Sequence, residues 1–233
     1  MTGPPNDGSR DRRIEPEGPD PVVGEARWHM AGAVLAAMLL TLLLPSELRL
    51  GPRLLLPILE GALLVALIIG DPGRISKRSS VLRGFSIALV TVLIAQSLWS
   101  TARLIDELIV GGPHTNKPGP LLAAAGIVWA SNNIAFALLY WELDSGGAAE
   151  RAHALRDHPD LAFPQQMNPD IASANWRPRF IDYLYLAFTN ATAFSPTDAM
   201  PLAPWAKVAM AVQAAISLAV LGLVVARAVN VLT

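Results

Sequence analysis

LLAAAGIVWASNNIAFALLYW, residues 121–141, is the stretch on which the fold class turns. It carries no charge and reads as one helix. At 1.5 Å per residue it reaches about 31 Å, the thickness of a bilayer's hydrocarbon core. Trp129 lies deep in it, which suggests a side chain packed between helices. Ser131, Asn132 and Asn133 stand at its centre, where hydrocarbon penalises every polar group without a partner.

Similar runs lie on both sides. Before it come about 28–45, about 54–70 and about 84–110, and after it about 203–229. Pro45 ends the first, and Pro57 and Glu60 interrupt the second. The 233-residue chain is 52% hydrophobic and 16% charged, with a mean hydropathy of +0.40. Soluble domains carry about 25% charged residues. Trp28, Trp99, Trp141 and Trp205 fall near span ends, as an aromatic belt would place them.

Residues 1–27 are rich in Pro, Gly and charge and read as a disordered tail. The long acidic stretch before the first apolar run does not fit a signal peptide. If spans alternate, twelve basic residues share one side: Arg10, Arg12, Arg13, Arg27, Arg74, Lys77, Arg78, Arg83, Arg151, Arg156, Arg177 and Arg179. That bias predicts a cytoplasmic amino terminus in a bacterial inner membrane, with residues 143–179 as a cytoplasmic loop partly lying on the membrane.

Residues 180–196 are harder to read. Phe180 to Ser195 would reach only about 22–24 Å as a helix, and Pro196 and Pro201 stop it. The expectation is a half-helix that enters the membrane and breaks, with a short tilted span as the alternative. Within it TNATAFSPTD, residues 189–198, concentrates three threonines, an asparagine, a serine and an aspartate. Irregular backbone at membrane depth is tolerated where protein buries it or water lines it. One reading has Thr189, Asn190, Thr192, Ser195, Thr197 and Asp198 lining a path for a small ion or solute, with hydroxyl and amide oxygens as hard ligands. The other has them bonding helices together at about 0.6 kcal/mol each.

Two resemblances attach to these residues. TNATAFSPTDAMP resembles the pore signature of potassium channels at Thr192, Asp198 and Pro201. Ser195 and Thr197 stand where the filter glycines would be and Pro196 where the aromatic would be, so potassium selectivity of that kind is not implied. Trp129, Tyr140, Gly146, Gly147, Phe163, Pro164, Asp182, Tyr183, Leu184, Tyr185, Phe194, Thr197 and Asp198 follow an order similar to that of a bacterial integral-membrane family with a domain of unknown function. That likeness covers the carboxy-terminal half. It implies an inner-membrane protein and no particular activity.

Glu60 is an ionisable group inside a span, a functional candidate by default. Arg53, seven residues earlier, shares its helical face, and Asn132 and Asn133 are further partners. Arg103 and Glu107 are spaced for an i,i+4 ion pair. Arg227 is placed to snorkel. Glu142 and Asp144 in WELDSGG read as solvated charge past a helix end, with Gly146 and Gly147 as the stop.

The remaining chemistry is mostly excluded. There is no cysteine, so thiolate catalysis and thiolate metal sites are absent. His153 and His158 are five apart, on different helical faces, and no metal site is expected. No nucleophile–base pair or phosphate-cradling loop appears. Asp144, Glu150, Asp157, Asp160 and Asp170 show no organising spacing, so no enzyme and no cofactor are expected. A net charge of −1 offers no nucleic-acid footprint.

The expectation is an all-α polytopic transmembrane bundle, with residues 28–233 as the membrane domain. It has five full spans plus a short re-entrant or tilted helix. Its partner is the lipid bilayer. It is channel-like or transporter-like for a small ion or solute, or else a non-transporting scaffold or accessory subunit. A homo-oligomer fits both, since a lone five-span bundle need not enclose a path.

Overall fold

Segments with few polar side chains satisfy their backbone N–H and C=O groups internally, and the long apolar runs here fold as helices for that reason. A computed structural model describes residues 24–112, 114–153, 158–168, 170–172, 176–192 and 199–232. In order these form β1 (Glu25–Ala26), α1 (Trp28–Leu43), a 3-10 turn (Ser46–Leu48), α2 (Leu55–Gly70) and β2 (Arg74–Ile75). There follow α3 (Ser80–Val110), α4 (Pro118–Leu143), a 3-10 turn (Asp144–Gly146) and α5 (Ala148–His153). Last come β3 (Leu161–Ala162), α6 (Pro164–Met167), α7 (Phe180–Thr192), β4 (Met200–Pro201) and α8 (Pro204–Leu232).

Three of these helices are long and apolar enough to cross a membrane: α3, α4 with its following turn, and α8. The expectation of five full spans is corrected by α1 and α2. Each has 16 residues and reaches about 24 Å, short of the roughly 30 Å core. Pro45 sets the end of α1 by pushing the residue before it out of helical geometry, and Leu44 is extended at φ −65° and ψ 140°. Pro57 sits in the first turn of α2, where a missing N–H costs nothing. In contrast, α3 begins four residues earlier than expected. Ser79 caps it, its Oγ accepting from Leu82 N at 3.5 Å. Pro118 starts α4 at a position that suits its fixed φ.

At 13 residues, α7 covers only about 20 Å. Asp182 anchors its start by accepting from Arg179 N at 2.7 Å. The expected break at Pro196 lies outside the described residues.

α4 is the central element, packed against α1, α3, α7 and α8. α1, α2, α3 and α4 close a four-membered ring through successive contacts, and α8 packs on α3, α4 and α7. Met30, Val34, Leu64, Leu67, Leu89, Leu93, Phe136 and Leu138 fill one core. Leu48, Leu104, Leu108, Leu121, Val128 and Val220 fill a second, nearer the other end. The outer faces are apolar too, with Leu35, Leu39, Leu43, Ile58, Val65, Ile69, Val208 and Val225 exposed. A contiguous apolar exterior of that extent marks a surface made for something other than water.

The connections are tied down. β1 pairs antiparallel with β2, so Glu25 and Ala26, before the expected domain boundary at residue 28, are part of the packed structure; residues 1–23 lie outside the described residues. β3 pairs with β4, and Leu161 and Phe163 are buried, so this part of the 143–179 segment enters the core rather than lying on a surface. Trp141 is buried as well, its indole donating to Glu25 Oε2 at 2.8 Å, instead of facing outward in an aromatic belt. Glu25 Oε1 accepts from Phe180 N at 2.6 Å and so joins the first strand to α4 and α7.

Arg27 closes this end of the bundle. Its Nη2 lies 3.1 Å from Asp71 Oδ2 and its Nε donates to Asp71 O at 2.8 Å, with both side chains buried. Burial pushes the guanidinium's pKa down from its ordinary value, and the Asp71 carboxylate opposes that shift. Asp71 Oδ2 also accepts from Ser76 N and Lys77 N. Removing one partner strands a buried charge, so Arg27→Ala is expected to lower stability by about 3–5 kcal/mol. Thermal unfolding of the purified protein checks this, with the Arg27→Ala/Asp71→Ala double variant recovering part of the loss.

Candidate functional site

Polar groups inside the bundle fall into two kinds, those the protein satisfies and those it does not. The clearest satisfied group is Gln213 of α8. It is fully buried, its Oε1 accepting from Tyr140 OH and Asn190 Nδ2 at 2.8 Å each and its Nε2 donating to Ala187 O at 3.0 Å. One amide therefore locks α4, α7 and α8 together. Asn190 also donates to Met210 O at 2.9 Å. Thr189 Oγ1 donates to Tyr185 O and Leu186 O, and Thr192 Oγ1 to Thr189 O. These three members of the sequence-predicted path thus act within the protein as helix-packing and helix-end bonds. The other three, Ser195, Thr197 and Asp198, lie outside the described residues.

A second satisfied hub sits where α4 ends. Asp144 is fully buried, which corrects its reading as solvated charge. Its Oδ2 accepts from Tyr183 OH at 2.5 Å, and its Oδ1 accepts from Leu161 N at 3.2 Å and Ser145 Oγ at 3.1 Å. Arg151 Nη1 donates to Trp141 O and Asp144 O, and its guanidinium stands 5.0 Å from the Tyr183 ring centre. Glu142 lies within α4 rather than past its end, buried and accepting from Ser86 Oγ at 2.5 Å. Asp144 and Tyr183 are too far apart in sequence for any local pattern to pair them.

Among the described residues, five of the buried side chains with unpartnered polar atoms stand at similar heights. Glu60 is fully buried, and neither carboxylate oxygen has a hydrogen-bond partner. Arg53 is exposed and makes no pair with it, correcting that expectation; α2 begins only at Leu55, so Arg53 is not carried on the helix. Asn132 has neither amide atom partnered. Asn133 donates to Trp129 O at 2.8 Å, but its Oδ1 is unpartnered. Ser97 Oγ and Ser217 Oγ are likewise buried without partners.

Contacts between helices give the heights of these groups. Ser86 meets Glu142, Gly70 lies against Leu82, and Tyr140 meets Gln213. Counting along the helices from those contacts at 1.5 Å per residue, Glu60, Ser97, Asn132, Asn133 and Ser217 stand within about 8 Å of one height. The fold thus brings Glu60, Asn132 and Asn133, all singled out from sequence, to one level. It adds Ser97 and Ser217, which sequence reasoning missed. The only available signal for these was a lone hydroxyl in an apolar run. Gln213 was missed too, although an amide inside the 203–229 run was a legible sign of an interhelical bond.

An orphaned carboxyl at a similar height to unpartnered amide and hydroxyl groups is suited to taking up a proton, a water molecule or a small desolvated cation. Oxygen donors of this type are hard ligands.

Two other expectations change at the opposite end. Arg103 pairs with Asp106 at 3.3 Å rather than with Glu107. Glu107 is buried with Oε2 3.5 Å from His114 Nδ1, and His114 Nε2 lies 3.7 Å from Glu47. Arg227 donates to Thr115 O and Asn116 Oδ1, so it ties α8 to the α3–α4 turn.

The two kinds of polar group predict opposite responses to removal. Glu60→Leu is expected to raise stability by about 1–3 kcal/mol, because a buried acceptor pair without partners is a net cost. Gln213→Leu is expected to lower it by about 2 kcal/mol, because the Tyr140 hydroxyl and Asn190 amide lose their acceptor. Unfolding midpoints of the two variants against wild type distinguish them.

No family model, no curated protein and no solved structure matches this chain, so neither resemblance noted from the sequence gains support from these comparisons.

Proposed function

We propose that this is a polytopic membrane protein of transporter or channel type. Its small-ion or proton site is the mid-height layer around Glu60. In this reading α1 and α2 form a short hairpin that crosses together with α3, α4 and α8, the bilayer thinning or the ends snorkelling to meet a 16-residue helix. The twelve basic residues on one side favour a cytoplasmic amino terminus in a bacterial inner membrane.

The single observation that carries the reading is Glu60. Its carboxyl is fully buried among helices and left without any protein partner. Ionisable groups in such positions are costly to stability, and those retained mark ion pathways and proton relays. Asn132, Asn133, Ser97 and Ser217 offer further unpartnered polar atoms at a similar height. Ser195, Thr197 and Asp198 remain candidates for the path's approach, and Thr189, Asn190 and Thr192, whose donors are bonded within the protein, could still offer oxygen lone pairs to it. A homo-oligomer would add a second wall to the path.

One observation favours the competing class, a non-transporting scaffold or accessory subunit: the bonding of Thr189, Asn190 and Thr192 entirely within the protein. Flux separates the two. In proteoliposomes loaded with a pH-sensitive dye or potassium, wild-type flux should exceed that of Glu60→Gln by about tenfold or more, the effect of losing about 1.4 kcal/mol of interaction with the transported species. Equal flux in both, with both proteins folded, would return the protein to the scaffold class.

A further inference from the structure

The end of the bundle beside Arg27 and Asp71 contains a cavity of about 380 Å³. Its walls come from α1, α2, α3, the end of α4 and the start of α5. One side is apolar, with Met30, Leu67, Leu82 and Trp141. The other carries Lys77, Arg78, Ser79, Ser80, Arg83 and Ser86. Its nearest wall residue on α2, Leu67, stands about 10 Å along the helix from Glu60, which does not line it.

Its acidic side chains are already engaged. Asp71 is held by Arg27 and two backbone N–H groups, Glu142 accepts from Ser86, and Glu150 pairs with Arg78 at 3.0 Å on the rim. The basic groups are not equally used. Among the described residues the half-buried Arg83 guanidinium makes no hydrogen bond and no close ion pair, and Glu142 is the carboxylate on which its charge acts. Lys77 reaches only Gly70 O at 3.4 Å. The first turn of the 31-residue α3 also opens here with the positive end of its dipole; Leu82 N and Arg83 N are taken by Ser79, which leaves the N–H groups of Ser80 and Val81.

Gly147 makes the arrangement possible. It has φ +93°, and a methyl group there would lie 3.0 Å from Arg83 Nη1. The Gly-Gly pair of WELDSGG therefore does more than end a helix, since it leaves the space in which the guanidinium lies.

We propose that this cavity binds a phosphate group carried by an amphiphile, the head group of an anionic phospholipid. Arg83, Lys77 and the amino end of α3 meet the phosphate, and the Met30–Leu67–Leu82–Trp141 wall meets the adjoining apolar chain. A guanidinium and helix N–H groups are suited to phosphate oxygens. Basic pockets between helices at a membrane face are suited to anionic head groups. The proposal is independent of transport through the Glu60 layer. Only the lipid source depends on the bundle lying in a bilayer.

The test uses the full-length protein in detergent, with lipid retention read by native mass spectrometry and stability read by thermal unfolding. Phosphatidylglycerol is expected to bind wild type about tenfold more tightly than Arg83→Gln, the effect of one lost charge-assisted hydrogen bond, with Lys77→Gln also weakened. Arg83→Lys keeps part of the affinity and shows that the site is folded. Lys117→Gln, at the other end of the bundle, behaves as wild type. If inorganic phosphate or glycerol 3-phosphate raises the unfolding midpoint of wild type but not of Arg83→Gln, and phosphatidylglycerol does not, the same site takes a soluble phosphate compound. Equal retention of phosphatidylglycerol by wild type and Arg83→Gln, with no response to either soluble probe, overturns the proposal. So does an equal loss in Lys117→Gln, which would mean unspecific attraction.

Discussion

A helix packed on four sides must satisfy its polar groups from its neighbours, and α4 is in that position. α1, α3, α7 and α8 pack around it and bury the side of its carboxy-terminal half that carries Asn132, Asn133, Tyr140 and Glu142. Every polar side chain on α4 therefore imposes a demand on another helix. Tyr140 is answered by Gln213, and Glu142 by Ser86. Those answers determine which faces of α3 and α8 turn inward and how high each helix sits against α4. The rest of the bundle is arranged around them.

Where the demand is not answered, the molecule departs from what stability alone would select. Glu60, Asn132 and part of Asn133 are buried as deeply as the satisfied groups but have no partners. An apolar core of the same shape would be more stable. Natural proteins tolerate such local conflict chiefly at sites of function. That contrast, between Gln213 bonded three ways and Glu60 bonded to nothing, separates architecture from candidate chemistry more sharply than polarity does. In the 189–198 run the described members Thr189, Asn190 and Thr192 donate hydrogen bonds within the protein.

The end of the bundle near Arg27 follows a different logic. There the charges are numerous and mostly paired, and the backbone connections between helices are held by carboxylates: Asp71 by its contacts to Ser76 and Lys77, Asp144 to Leu161, Glu25 to Phe180. Asp144 is buried behind the Gly-Gly turn, in a segment whose prolines and mixed charge suggested solvent. Short strands at residues 25–26 with 74–75 and 161–162 with 200–201 draw these connections inward. What remains uncommitted, chiefly Arg83, faces the cavity.

Residue order by itself determined that the chain is helical and apolar, roughly where its long helices run, and that Glu60, Asn132 and Asn133 would be unusual. These follow from periodicity, from length against a rise of 1.5 Å per residue, and from the cost of burying polar atoms, all of which are local. Local information also set the helix ends at Pro45, Ser79 and Pro118. Only the tertiary structure decided that Gln213 answers Tyr140 and Asn190, and that Asp144 answers Tyr183. It alone put Glu60 level with Asn132 and out of reach of Arg53. The physical reason is that a hydrogen bond between residues 39 or 73 apart depends on which helix faces touch and at what height, and packing of the whole bundle sets both.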